Sequence, residues 1–289
     1  MPLHARMACL LLNTREGGLP LICRAQGAAM KIGLTSYAFR WAFKAGMPIT
    51  DFLHLAADAG AEVVQLCENS GVDRLDEAGL KELAHLARRL DLFLESGGHG
   101  AELAQMQAGI RCTANLDGII YRCVIDSDGL APEAIIANLR ALLPLLRDSG
   151  VIFCAENHLR FTPQTVRHIV RSVDDPAVGV CLDPLNSIAQ WIGPEETIRE
   201  LAPLARTAHI KDATIRRAVS GFTISGVPLG EGQLDLAGYL AVVSPRVESL
   251  LFESWMDPVD GESGASTLAQ EELWARNALA LIRHLSSHR

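Results

Sequence analysis

The chain has 289 residues, of which 49% are hydrophobic and 21% charged, and its formal net charge is −8. This composition supplies enough apolar side chains for a large core and argues against intrinsic disorder. A chain whose main partner is a phosphate backbone is more often basic, so we expect no nucleic acid among its partners. No apolar run approaches the roughly 18–20 residues of a membrane span, so we expect no membrane partner either.

The first residues differ in character from the rest. Within residues 1–29, the apolar stretch ACLLLN is too short and too weakly flanked for the core of a signal peptide. At Met30 the sequence changes to MKIGLTSYAF, which is typical of the opening strand of a domain. We predict that residues 1–29 are a disordered extension or a misannotated start, and that residues 30–289 form one catalytic domain.

From Lys31 onward, eight units follow one another, each with a short apolar run, a polar turn and a helical pattern. The apolar runs are, in chain order, KIGLTS, AEVVQL, LFLES, DGIIYRCVI, VIFCAEN, AVGVCLD, ARTAHIKD and SLLFESW. The helices predicted after them are Ile49–Ala59 (with Thr50 or Asp51 as N-cap), Asp76–Arg89, Ala101–Gly109, Pro132–Asp148, one beginning near Thr162, Glu195–Ala202, Leu236–Val243 and Thr267–Leu285. The segment between the seventh strand and its helix reads as a longer loop.

The strand pattern predicts the fold. Continuous apolar strands are buried on both faces, and eight right-handed strand–helix units close into a barrel. An open doubly wound sheet is the competing architecture, but it usually carries a glycine-rich phosphate loop after the first strand. The corresponding segment here, SYAFRWAF, has no glycine. We therefore predict an α/β protein with a single (β/α)8 barrel.

The seven cysteines form no CxxC pair and no regular framework. Those at or beside apolar runs are Cys67, Cys123, Cys154 and Cys181. Small core residues of this kind are typical of a reducing compartment, and we predict a cytoplasmic location.

Four ionisable residues end four consecutive predicted strands: Glu156, Asp183, His209 and Glu253. Catalytic groups of a barrel lie at the carboxyl ends of its strands, so these side chains are expected at one mouth. Three carboxylates beside an apolar core would be costly unless a shared cation neutralised them. We predict one divalent metal ion, with Mn²⁺ as first choice and Mg²⁺, Co²⁺ or Zn²⁺ left open.

The words AENH, CLDPLN, HIKD and FESW, one per strand and in that order, carry a family resemblance. They resemble the sugar phosphate isomerase/epimerase group of xylose isomerase-like barrels, which includes ketose 3-epimerases, hydroxypyruvate isomerase and inosose dehydratase. The resemblance runs from about Lys31 to the C-terminus. It implies that Glu156, Asp183, His209 and Glu253 bind the metal.

The resemblance also implies a reaction. Glu156 and Glu253 would be the catalytic pair, one removing a proton beside a carbonyl and the other returning it, while the metal stabilises an enediolate. We therefore predict a metal-dependent isomerase or epimerase of a small sugar, keto-sugar or sugar phosphate. Dimers are common among such relatives, so a homodimer is an expectation by analogy.

Five further residues are predicted to bind substrate because they follow or end strands at the same mouth: His99, His158, Asn186, Lys211 and Arg216. Asn186 stands where several epimerases carry a substrate-contacting histidine, so the chain departs from the epimerase pattern there. Arg216 and Arg217 follow HIKD and could bind a carboxylate or phosphate, or could simply be solvated.

Two other functions remain open at this point. A metal-dependent lyase, dehydratase or decarboxylase of an oxo-sugar acid uses the same enolate chemistry, and an arginine-lined carboxylate site would favour it. An apurinic endonuclease is a remote alternative on the same barrel. Such enzymes use several zinc ions and extra histidines, whereas this chain has Asn186 three residues after Asp183 and lacks an Asp-x-His pair after HIKD.

Overall fold

The computed structural model describes residues 29–126 and 129–287. Its ten strands are β1 (Lys31–Thr35), β2 (Val63–Leu66), β3 (Phe93–His99), β4 (Ile120–Val124), β5 (Ile152–Glu156), β6 (Val178–Leu182), β7 (Ala205–Ile210), β8 (Asp212–Arg217), β9 (Phe222–Val227) and β10 (Ser249–Phe252). All except β8 and β9 form one closed parallel barrel, in which β1 pairs with both β2 and β10. The predicted (β/α)8 barrel is confirmed.

Helices connect the strands along the outside of the barrel. They are α1 (Arg40–Lys44), α2 (Ile49–Asp58), α3 (Glu77–Arg89), α4 (Leu103–Asn115), α5 (Pro132–Ser149), α6 (Pro163–Val173), α7 (Pro194–Leu201), α8 (Leu236–Val243) and α9 (Ala265–Ser287). Proline opens α5 and α6 at the first turn, where its missing N–H costs nothing. Among the described helices, none has both the length and the apolar character that a bilayer span requires.

One N-cap and one helix start differ from the sequence-based expectation. The N-cap of α2 is Pro48 and makes no side-chain capping bond, so the prediction of Thr50 or Asp51 as cap was wrong. The helix predicted over Ala101–Gly109 instead runs from Leu103 to Asn115. A capping box between Glu102 and Gln105 sets its start, because these side chains satisfy the first free backbone N–H groups.

The segment predicted as a long loop after β7 contains an antiparallel hairpin, formed by β8 and β9 with Ile215 paired to Ile224. Several of its apolar side chains are exposed, including Val219 and Phe222. Because the hairpin is mostly exposed beyond Asp212 and Ala213, its sequence lacks the apolar pattern by which a buried strand is recognised.

The barrel has an apolar outer layer and a partly polar interior. Side chains between strands and helices form one large apolar cluster. Inside the barrel, where branched apolar side chains usually dominate, four polar side chains are buried: Gln65, Glu95, Thr207 and Ser249. The four cysteines predicted as core residues are buried and are not joined by disulfides, as expected. The prediction for residues 1–29 falls outside the described residues except for Ala29.

Candidate metal centre

Four neighbouring strands place the predicted ligands at the same end of the barrel. Glu156 is the last residue of β5, Asp183 follows β6 directly, His209 is near the end of β7, and Glu253 follows β10 directly. All four side chains are buried. The strand topology therefore brings together residues that lie up to 97 positions apart in the chain.

The imidazole of His209 is the centre of the group. Its Nδ1 atom lies 3.3 Å from Glu253 Oε2, 3.4 Å from Glu156 Oε1 and 3.7 Å from Asp183 Oδ2. The ligand atoms of Asp183, His209 and Glu253 all lie within 4.8 Å of one another. One ring nitrogen thus faces three carboxylates at a spacing that a single ion could bridge.

Each of the four side chains has a buried atom for which the described residues provide no hydrogen-bond partner: Glu156 Oε2, Asp183 Oδ2, His209 Nδ1 and Glu253 Oε2. Two of these oxygens do lie within ion-pair distance of a cation, since Arg122 is near Glu156 and Lys211 is near Asp183. Neither contact has hydrogen-bond geometry. Buried polar atoms are normally paired, so this cluster fits a bound cation.

The donor set matches a hard to borderline divalent ion, because it offers carboxylate oxygens and one imidazole. Cys181 forms a second compact group with Glu156 and His209. Burial raises the pKa of the Cys181 thiol to about 11, so it is largely uncharged at neutral pH and a poorer ligand than the carboxylates. The set of Asp183, His209 and Glu253 therefore fits a divalent ion better than the set that includes Cys181.

Two fully buried cations lie among the carboxylates. Arg122, in the middle of β4, places Nε 2.5 Å from Glu156 Oε2. Lys211 Nζ lies 2.5 Å from Glu253 Oε1, 2.9 Å from Asp183 Oδ2 and 4.8 Å from the centre of the Trp255 ring. Buried charges of this kind persist only when paired, and here each has a carboxylate partner.

The charges set the protonation states of the centre. Burial opposes ionisation of Glu156, but the positive charges of Arg122 and His209 lower its pKa to about 2. Burial likewise opposes ionisation of Asp183, and Lys211 and His209 hold its pKa well below the ordinary value. Both acids are therefore carboxylates at neutral pH, which is the form that binds metal.

A cavity of about 350 Å³ opens above these residues. Its lining includes Tyr37, Arg40, His99, Arg122, Glu156, His158, Asn186, Glu253 and Trp255. A larger cavity of about 900 Å³ lies on the outer surface between α7 and α8, and none of the predicted site residues lines it. The buried charges converge at the smaller cavity, which makes it the candidate substrate site.

The structure brings four of the five predicted substrate residues to this centre. His99, His158 and Asn186 line the cavity, and Asn186 Nδ2 donates to Glu156 Oε1 at 3.1 Å. Lys211 contacts the carboxylates directly. Arg216 instead lies on β8 with its side chain exposed, outside the residues that line the cavity.

Each cavity histidine has a carboxylate beside it. His99 Nδ1 lies 2.5 Å from Glu68 Oε1, an oxygen that also accepts from the Tyr37 hydroxyl. His158 Nδ1 lies 3.6 Å from Asp126 Oδ1. The short contact with Glu68 orients the His99 ring, whereas Asp126 acts on His158 only as a neighbouring charge.

Sequence reasoning missed three buried charged or polar residues that shape the centre: Arg122, Gln65 and Glu95. Each stands alone inside an otherwise apolar strand, in IIYRCVI, EVVQL and LFLES. A charged or polar residue in a buried strand needs a partner, so each of these residues indicated a buried polar contact. The location of that contact could not be predicted, because a strand that is apolar on both faces does not show which side chains point inward.

A protein family and a curated relative are similar to this chain in sequence. Residues 53–284 match the family described as xylose isomerase-like TIM barrel. A curated relative, the 3-oxo-isoapionate decarboxylase of Pectobacterium atrosepticum, is 30% identical over an alignment of 260 residues that covers 86% of this chain and 94% of the relative.

Two solved structures show the same fold. The D-psicose 3-epimerase crystallised in the presence of D-fructose superposes with a TM-score of 0.69 at 17% identity, covering 89% of this chain and 99% of that one. The IOLI protein with a bound zinc atom gives 0.68 at 15% identity, with coverages of 89% and 99%. The family match extends over most of the barrel and agrees with the curated relative and both folds. The chain therefore belongs to the xylose isomerase-like TIM barrel family.

Proposed function

We propose that this protein is a divalent-metal-dependent decarboxylase of a 3-oxo sugar acid, with Glu156, Asp183, His209 and Glu253 as the metal ligands. The observation that carries this proposal is the pair of buried cations among the carboxylates: Arg122, which lines the cavity, and Lys211, which contacts Glu253. Mn²⁺ is our first choice of ion, with Mg²⁺, Co²⁺ and Zn²⁺ as alternatives.

The charge balance favours an acidic substrate. When His209 is neutral, as an imidazole that binds a metal must be, three ligand carboxylates against the charges of Arg122 and Lys211 leave one net negative charge. A divalent ion would turn this into one net positive charge. Since an unbalanced buried charge is costly, a substrate with one carboxylate completes the site, whereas a neutral ketose does not.

The curated relative supports the same substrate class, because its name specifies decarboxylation of a 3-oxo sugar acid. Its 30% identity extends over 86% of this chain. Arg40 and Arg122 both line the cavity and can bind a substrate carboxylate there. Arg216 is exposed on β8 and does not line the cavity.

In decarboxylation, the bond between the carboxyl carbon and C-2 breaks and CO₂ leaves. The electron pair becomes the C-2–C-3 double bond of an enolate, the 3-oxo oxygen gains the negative charge, and C-2 then takes one proton. A divalent ion, when bound, supplies a Lewis acid for this chemistry. The positive charge of Lys211, held beside Glu253 behind the cavity wall, favours the developing oxyanion, and His99 or His158 faces the cavity where the proton is needed.

A sugar isomerase or epimerase is the second candidate, and one observation favours it. Glu156 and Glu253 approach His209 Nδ1 at similar distances, 3.4 and 3.3 Å, and each presents an oxygen without a hydrogen-bond partner among the described residues. Two bases acting on one substrate carbon would have this arrangement. The ion pair between Arg122 and Glu156 weakens Glu156 as a base, however, and we rank this function second.

The test compares the two reactions in one preparation. Protein loaded with Mn²⁺ is incubated in D₂O with a carboxyl-labelled 3-oxo sugar acid of the isoapionate type and, separately, with D-fructose. We expect release of labelled CO₂ and one deuterium in the product from the acid, without deuterium exchange into the ketose. Exchange or epimerisation of the ketose without CO₂ release would replace the decarboxylase by the second candidate.

Matched variants locate the reaction at this centre. Glu253→Gln removes a proposed ligand and should abolish both stoichiometric Mn²⁺ binding and CO₂ release. Glu248→Gln is the control, because Glu248 pairs with Arg206 at the opposite end of the barrel. Unchanged CO₂ release by Glu253→Gln would place the activity elsewhere in the protein.

The predicted cytoplasmic location and homodimer stay predictions.

A further inference from the structure

A row of buried hydrogen bonds crosses the interior of the barrel below the proposed metal site. Glu95 on β3 contacts Thr207 on β7 and Ser249 on β10, residues that lie 112 and 154 positions away in the chain. On its own side of the barrel, Glu95 contacts Gln65, its neighbour in the pairing of β2 with β3. None of these four residues is a proposed ligand or lines the cavity.

Glu95 determines which way the amide of Gln65 faces. Glu95 Oε2 accepts from Gln65 Nε2 at 2.9 Å, and Oε1 accepts from the Ser249 hydroxyl, whose oxygen lies 2.8 Å from the Thr207 hydroxyl. The Cys67 thiol donates to Gln65 Oε1 at 3.6 Å, which identifies that atom as the amide oxygen and leaves Nε2 as the donor to Glu95. The amide nitrogen of Gln65 must therefore face Glu95, and the amide oxygen must face away from it.

That amide oxygen in turn selects one form of His209. Gln65 Oε1 lies 3.0 Å from His209 Nε2. An amide oxygen can only accept, so Nε2 has to carry the hydrogen. In a neutral imidazole the lone pair is then on Nδ1, which is the nitrogen that faces the three carboxylates at 3.3–3.7 Å.

From this geometry we propose that Gln65 and Glu95 are positioning residues of the metal centre, which hold His209 with Nε2 protonated and with Nδ1 directed at the cation. This inference rests on the proposed metal site, but it does not depend on which reaction the protein catalyses. Partners of this kind behind a ligating histidine typically contribute about 10–100-fold to metal affinity.

The first experiment measures metal affinity without substrate. Metal-free wild type and Gln65→Met are titrated with Mn²⁺, and free Mn²⁺ is followed by electron paramagnetic resonance. The methionine retains the length of the side chain but offers no amide oxygen, so we expect a Kd about 10–100-fold higher than that of wild type. A folded Gln65→Met protein whose Kd lies within twofold of wild type would overturn the proposal.

A matched control separates positioning from general loss of a buried hydrogen bond. Thr113 is fully buried on α4, and its hydroxyl lies 2.6 Å from Ser96 Oγ. Thr113→Val removes this contact without touching His209 or Gln65. We expect its Kd for Mn²⁺ to equal that of wild type. An equal weakening in Thr113→Val and Gln65→Met would also refute the positioning role.

A second readout observes the ring of His209 directly. In Zn²⁺-loaded protein labelled with ¹⁵N-histidine, long-range ¹H–¹⁵N spectra should show a metal-bound Nδ1 and a protonated Nε2, assigned by comparison with His209→Gln. Glu95→Gln preserves the shape of the side chain but can turn the Gln65 amide either way, so we expect two sets of His209 signals. This variant keeps the proposal testable if Gln65→Met does not fold. A single unchanged set, with unchanged Kd, would contradict it.

The outcomes distinguish this proposal from the proposed function. Wild-type protein that binds no stoichiometric Mn²⁺ overturns the metal site and the positioning role together. Protein that binds one Mn²⁺ and shows the expected variant effects, but releases no CO₂, fails only as a decarboxylase.

Discussion

Removing Arg122 is the most direct test of the electrostatic description of the metal centre. Arg122→Met deletes a fully buried guanidinium that lies 2.5 Å from Glu156, and it leaves three carboxylates facing only Lys211 and His209. Methionine retains much of the volume, so the change mainly removes charge. We expect the metal-free protein to lose stability, and the loss to be smaller when a divalent ion is bound.

The distance between Arg122 and Glu156 sets the size of the expected loss in stability. Whole charges 2.5 Å apart at an effective dielectric constant of about 20 attract with about 7 kcal/mol, and spreading each charge over its group reduces this toward about 4 kcal/mol. Breaking a buried ion pair by removing one partner costs about 3–5 kcal/mol, in agreement with that value. For a chain of this length the corresponding fall in Tm is on the order of 10 °C.

The assay is thermal and urea unfolding of wild type and Arg122→Met, each with EDTA and with Mn²⁺. Bound metal stabilises the folded state by about 2.7 kcal/mol at a concentration 100-fold above Kd. Because the competing guanidinium is absent, Mn²⁺ should stabilise the variant more than the wild type. The control is Arg206→Met, which removes a partly exposed ion pair with Glu248 and should cost no more than about 1 kcal/mol. A metal-free Arg122→Met protein as stable as Arg206→Met would refute the reasoning.

Three other predictions concern Glu271 beside the first helix, Lys211 at the metal centre and Gly33 in the first strand. Burial raises the pKa of Glu271 from 4.5 to about 7, against the backbone N–H groups of Trp41 and Ala42 that donate to it, so unfolding free energy should fall as pH rises from about 4.5 to 7. Glu271→Gln should flatten this slope in urea titrations at pH 5 and 7.5, and parallel slopes would contradict the raised pKa. Lys211→Met should lower kcat on the order of 10²-fold and tighten Mn²⁺ binding, because an ammonium no longer competes for the carboxylates, and steady-state kinetics with metal titration measures both. Gly33→Ala should prevent folding or lower Tm strongly, because its Cβ would lie 1.8 Å from a backbone oxygen of β2, whereas Gly193→Ala, with open space around it, should leave Tm unchanged in the same scanning experiment.

The barrel and the proposed ligands could be predicted from the sequence because topology determines both. Parallel strands connected by helices present their carboxyl ends at one mouth, so a residue that ends an apolar run is placed without any knowledge of packing. Glu156 and Asp183 are such residues. Their convergence with His209 is a consequence of strand order alone.

The cations and the polar interior could not be predicted in the same way. Arg122 and Glu95 sit within strands that are apolar on both sides, and the pattern does not reveal which of their neighbours share the inward face. Their partners are also distant in sequence, since Glu95 meets Ser249 only across the closed barrel. Arg216 illustrates the opposite case, because it lies on an exposed part of the hairpin and is not among the residues that line the cavity.

One side chain, Asp212, fixes both ends of the segment that contains this hairpin. Its Oδ1 accepts from the backbone of Ala213 and Leu234, and its Oδ2 accepts from Gly230 and Gly232. The chain leaves the barrel and returns to it at the same carboxylate, next to Lys211. The residues between Ala213 and Gly230 can therefore be replaced as one unit. Hairpins of other lengths could be grafted between these anchors to alter access to the cavity, while Asp212 keeps the neighbouring Lys211 and the proposed ligands in place.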